Sequence, residues 1–112
     1  MNINKGIYIL NIIDNDSKDW YKVGFTQDFD GRYHSYGTEL QPNKQFVCVF
    51  HINKDRNEIH KLEQMILEQT KDKHYKGKGI ECRHYKDVNE LVQIITLITG
   101  VQPQEHTVKP RE

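Results

Sequence analysis

Residues Lys5–Ile13 are apolar on both faces that a β-strand would present, with Ile7 and Ile9 on one and Tyr8, Leu10 and Ile12 on the other. A strand patterned in this way has to be covered on two sides. A polar loop, Asp14–Asp19, follows, and Trp20–Thr26 reads as a second strand. A loop that short joins antiparallel neighbours, so a buried hairpin is the nucleus around which the rest must pack.

The remaining pattern supplies the cover. Asp28 can cap a short helix running to about Tyr36, and Gly37 can end it. Pro42 marks the next loop. Gln45–Ile52 reads as a third strand, with Phe46, Cys48, Phe50 and Ile52 alternating against Val47, Val49 and His51. Asp55 and Glu58 have capping-box spacing, which predicts a helix to about Thr70. Lys71–Gly79 reads as a basic, glycine-containing loop and Ile80–Tyr85 as a short fourth strand. Asp87 and Glu90 repeat the capping-box spacing ahead of an apolar helix, Val88–Thr99, which Gly100 closes. Residues 102–112 hold two prolines and few apolar groups and read as a flexible C-terminal tail. The expected fold is α+β: a small, largely antiparallel three- to four-stranded sheet flanked by helices, in a single domain over residues 1–101.

Composition narrows the function classes. The chain of 112 residues carries 16 Lys plus Arg against 16 Asp plus Glu, so its formal net charge is zero. Tight nonspecific binding driven by release of counterions from DNA is disfavoured, yet a neutral chain can still gather its cations on one face. Cys48 and Cys82 are not in a zinc-ligand spacing and read as free thiols of a reducing compartment. The first residues lack the apolar stretch of a signal peptide, and no apolar run is long enough to span a bilayer. An intracellular, soluble protein is the expectation.

Five side chains stand out. Tyr8 sits mid-strand, where a core tyrosine with a bonded hydroxyl is the plain alternative to a chemical role. Lys22 shares a strand face with Trp20 and Gly24; an edge lysine reaching water is its plain alternative. Arg32 follows Gly24 by eight residues, and Tyr36 lies one helical turn beyond it on the same face. That pair is either a surface arginine packed on a ring or a guanidinium fork held against a phosphate. Glu63 falls at the edge of the apolar stripe formed by Ile59, Leu62 and Ile66. It is either a boundary residue reaching water or a carboxylate that needs a partner such as a metal ion. Six histidines are scattered along the chain in no known ligand spacing; His34 lies two residues from Arg32.

Taken in order, Gly6-Ile7-Tyr8, Tyr21-Lys22-Val23-Gly24, Arg32, Tyr36 and Leu62-Glu63-Gln64-Met65-Ile66 resemble the GIY-YIG nuclease family over residues 5 to about 85. The gap from Gly24 to Arg32 and Tyr36 is similar to that in the nuclease domain of the bacterial nucleotide-excision-repair incision subunit. Lys22 stands at the place of the second motif's tyrosine, which resembles certain restriction enzymes and the phage and large-virus branch. Phe25 stands where many relatives have a lysine or histidine, and so lacks one phosphate contact.

The resemblance implies a metal-dependent DNA endonuclease. Tyr8 would be the general base on water, with Lys22 beside it favouring the phenolate. Arg32 would stabilise charge on the phosphate, Tyr36 would orient Arg32 or a phosphate, and Glu63 would hold Mg²⁺ or Mn²⁺. Tyr8 and Lys22 would share a sheet face, with Arg32 approaching from the first helix. DNA is the implied partner, with a homodimer or a targeting protein supplying target choice. Two other readings remain open: a nucleic-acid-binding module of the same fold without cleavage, which Phe25 favours, and a protein-interaction module, which zero net charge favours.

Overall fold

The computed structural model describes residues 4–13, 19–35, 44–74 and 82–108. The expected end of the first helix at Tyr36 and Gly37, most of the Asp14–Asp19 loop, the Pro42 loop and the segment 75–81 lie outside the described residues.

The hairpin forms as its two-sided pattern demands. Strand β1 (Gly6–Ile13) pairs antiparallel with β2 (Asp19–Thr26), placing Tyr8 opposite Gly24 and Leu10 opposite Lys22. β3 (Lys44–His51) pairs antiparallel with the other edge of β1, and β4 (Cys82–His84) pairs antiparallel with Trp20–Lys22 of β2. The sheet therefore has the order β3-β1-β2-β4. Helix α1 (Phe29–Ser35) follows β2, α2 (Arg56–Gln69) follows β3, and α3 (Val88–Thr99) follows β4. The expected α+β architecture with a small antiparallel sheet is the architecture observed.

Alternation along β1 divides the core into two layers. Ile7 and Ile9 join Tyr21, Val23, Cys48 and Phe50 beneath Ile59 and Ile66 of α2 and Leu91 and Ile95 of α3. Tyr8 and Leu10 face the other way, packing with Trp20, Val49, Cys82 and Phe29 of α1, and with Tyr33 and Phe46 at the margin. The strict alternation expected for the third strand breaks here. The β1–β3 register shifts between Ile9 and Leu10, so that Ile9 pairs with Cys48 but Leu10 pairs with Phe46. The extra residue, Val47, is a bulge. It turns Phe46 out of the Cys48–Phe50 face and onto Tyr8, at 5.5 Å between ring centres.

Gly6 explains why the hairpin can sit so close to β3. Its φ of +149° belongs to glycine, and a Cβ there would collide with the Phe50 carbonyl oxygen. Asp55 caps α2 by accepting from the Glu58 N–H at 2.9 Å, as its spacing predicts. Asp87 caps α3 through the Asn89 N–H at 2.9 Å, one residue short of Glu90.

Two sequence expectations are corrected. Lys71–Lys73 is a single 3-10 turn continuing from α2, not loop. Residues 102–108 are not loose: Gln104 exchanges two backbone hydrogen bonds with Val49, at 2.8 and 2.9 Å. His106 then reaches Asp30 of α1 at 2.8 Å and packs on Phe29 and Phe46. Arg83, in the short fourth strand, is 2 % exposed. It donates from Nε to Thr70 Oγ1 at 2.9 Å and from a terminal nitrogen to the Leu67 carbonyl at 3.1 Å. Those acceptors sit at the C-terminal end of α2, where the helix dipole welcomes a cation.

Removing that guanidinium would take a donor from three acceptors: Thr70 Oγ1 and the Leu67 and Cys82 carbonyls. Arg83→Met is therefore expected to lower stability by about 2–3 kcal/mol in urea denaturation. An unchanged midpoint would show that Arg83 does not hold the end of α2. The thiols are separate and buried, and burial pushes Cys48 up to about 12, so it packs as an apolar group at neutral pH. Among the described residues no helix is long and apolar enough to cross a membrane.

Candidate active site

Tyr8 is held by its neighbours on every side. Its ring is 2 % exposed and stands edge-on to Phe46. On the facing strand Gly24 is the residue that lets it lie flat against the backbone: a Cβ on Gly24 would come within 2.5 Å of Tyr8 Cζ and closer still to its hydroxyl oxygen. The Gly6-Ile7-Tyr8 and Lys22-Val23-Gly24 segments are thus one interlocked unit, the tyrosine of the first filling the space that the glycine of the second leaves open.

Lys22 projects from the same sheet face. It lies opposite Leu10 on one side and Cys82 on the other, both members of the Tyr8 layer, and is half-buried. α1 lies on this face too, anchored by Phe29 at 0 % exposure. Asp28 starts the helix by accepting from the Gly31 N–H at 3.2 Å. Arg32, one turn on from Phe29, is exposed. Tyr8, Lys22 and the helix bearing Arg32 therefore share one side of the sheet. Tyr36 lies outside the described residues.

Glu63 comes from the other layer, and differs from its sequence reading. The row of α2 that faces the core is Ile59, Glu63 and Ile66, with Leu62 only partly covered. Glu63 is 5 % exposed, at the centre of the buried row and not at its edge. One of its carboxylate oxygens lies 3.9 Å from Nε2 of His60, a turn before it.

The two layers meet at the end of β2. β4 pairs only with Trp20–Lys22, which leaves the outer edge of Val23–Thr26 without a paired strand among the described residues. α2 packs along β2 there. The Tyr8 hydroxyl overlies Gly24; the next side chain, Phe25, turns to the α2 layer and stacks on His60 at 4.7 Å, 20° from parallel. A cleft of about 430 Å³ opens at this edge, with Phe25, Thr26 and Asp28 in its wall, Arg32 from α1, and Arg56 from α2.

Sequence reasoning passed over Arg56 and His60. The signal for His60 was its spacing of three before Glu63, which puts both on one helix flank. Arg56 carried no signal until the cleft placed it near Arg32.

The cleft brings Arg32 and Arg56 together, Tyr8 and Lys22 lie on the α1 side of the sheet, and Glu63 lies in the α2 layer on the other side. The chain belongs to the T5orf172 domain family, whose pattern matches residues 5–98 and which is a nuclease-associated domain of phage proteins. No curated protein and no solved structure matches it.

Proposed function

We propose that this chain is a metal-dependent DNA endonuclease of the GIY-YIG type. The burial of Glu63 carries the reading. A carboxylate in the core-facing row of α2, between Ile59 and Ile66, costs stability that an apolar residue would not, and binding a cation is a task that would offset that cost. Family membership and the interlock of Tyr8 with Gly24 support the same conclusion.

A divalent ion fits the donor present. Glu63 offers hard oxygen, suited to Mg²⁺ or Mn²⁺. Among the described residues no three His, Cys, Asp or Glu side chains gather into a metal cluster. One carboxylate, with waters and phosphate oxygens completing the shell, is an ordinary way for Mg²⁺ to bind. The ion would polarise a phosphate oxygen and stabilise the charge of the leaving group.

The chain's own residues do the rest. As the phenolate, Tyr8 takes a proton from the attacking water and becomes the neutral phenol. A free tyrosine titrates near ~10, so it needs help at neutral pH; Lys22, on the same sheet face, favours the phenolate by its charge. Arg32 offers its planar fork to the non-bridging oxygens as negative charge grows on phosphorus. Tyr36 orients Arg32 or a phosphate by hydrogen bond. A second copy or a targeting protein supplies the choice of target.

A second reading keeps DNA binding and drops cleavage. Phe25 favours it, because its ring is taken up by His60 and Arg56 and brings no cation to the cleft. Supercoiled plasmid incubated with Mn²⁺, with and without chelator, decides between them. Nicked circles that form only without chelator are the expected result; plasmid that stays supercoiled in both would leave the binding module.

A further inference from the structure

Arg56 has no part in the chemistry described so far, yet it is the residue that α2 sends into the cleft. Its guanidinium carbon lies 5.5 Å from the centre of the Phe25 ring. That cation–π contact seats the guanidinium over the Phe25 ring at the cleft. Across the cleft stands Arg32, from the helix on the opposite side of the sheet. Neither arginine lies within ion-pair distance of a carboxylate among the described residues. Asp28, which shares the wall, has an oxygen already engaged by the Gly31 N–H at 3.2 Å and the Asn4 amide at 2.9 Å.

In a chain of zero net charge, this cleft of about 430 Å³ sets two arginines against one carboxylate, Asp28, and the surplus positive charge suits an anion. We propose that Arg56, seated on Phe25, binds the backbone phosphate next to the one that Arg32 takes, so that the cleft grips two successive phosphates of one strand. Phe25 then has a task of its own: it contributes no charge but orients the arginine that does. The two arginines reach the strand from the two helical layers and fix its direction across the end of β2, past Gly24 and Tyr8. The proposal rests on the nuclease reading only for the identity of the polymer as DNA.

The test is fluorescence-anisotropy binding of a short labelled DNA duplex across a salt series, with chelator present so that nothing is cut. Losing one phosphate contact lowers the slope of log K against log salt by about 0.9. Arg56→Gln is expected to show that drop with an unchanged melting temperature. Arg56→Lys, which keeps the charge but not the flat stack, should restore the slope. An Arg56→Gln slope equal to wild type would overturn the proposal, as would a wild type that shows no salt-dependent binding. Plasmid cleavage is read separately. Cleavage with an unchanged Arg56→Gln slope sinks the proposal and keeps the nuclease, whereas the slope change without any cleavage does the reverse.

Discussion

Glu63→Gln is expected to abolish metal-dependent cleavage while the fold survives. The amide has nearly the shape of the carboxylate, so the row of Ile59, residue 63 and Ile66 packs as before. It lacks the negative charge that holds a divalent ion in competition with water. A bound ion is worth several kcal/mol of charge stabilisation in phosphoryl transfer, so the rate should fall by roughly a hundredfold to a thousandfold or more. Stability should change little, because the amide keeps the shape and the hydrogen-bonding capacity of the side chain. Plasmid cleavage in Mn²⁺ and urea denaturation read the two effects apart. Full activity in Glu63→Gln would remove the metal from this residue.

Tyr8→Phe carries the second large effect. It deletes one oxygen and keeps the ring against Phe46 and Gly24. If the Tyr8 hydroxyl is the general base, cleavage falls by about a hundredfold or more, and the melting temperature barely moves. If Tyr8 is only a core residue, cleavage survives and stability drops by the worth of a hydrogen bond, ~1 kcal/mol. The two outcomes move different instruments, so no single result can be read both ways.

Much of this arrangement was legible from residue order because it depends on local periodicity. The two-sided pattern of Lys5–Ile13 already required a layer on each face, and α1 on one side with α2 and α3 on the other provide them. The short loop after Ile13 implied an antiparallel hairpin, while the register that puts Tyr8 and Lys22 on a shared face was implied by the family resemblance and is the one observed. Glu63 shows where periodicity fails. Ile59, Leu62, Ile66 and Ile59, Glu63, Ile66 are both regular helical rows, differing only in which flank of the Ile59–Ile66 line turns inward. Hydropathy chooses Leu62; docking against β2 and α3 chooses Glu63. The sequence cannot rank a carboxylate above a leucine for burial unless its task is already known.

Other features depend on contacts distant in sequence. Arg83 is buried because the end of α2 arrives over it, and nothing in Cys82-Arg83-His84 announces that. The bulge at Val47 leaves no hydropathy trace, since Phe46, Val47 and Cys48 are all apolar. Gln104 adds a single bridge to β3, too short for any alternation to show. Arg56 and Arg32 lie on different helices, and only the fold brings them to one cleft.

The proposed role of the buried Glu63 carboxylate is to hold a divalent ion beside DNA. The Tyr8→Phe chain bound to a duplex gives the means to test it, because the DNA should persist uncut while Mn²⁺ is added and followed by electron paramagnetic resonance. This complex is expected to bind one more Mn²⁺ per chain than the same complex carrying Glu63→Gln as well. Equal Mn²⁺ binding by the two would contradict it.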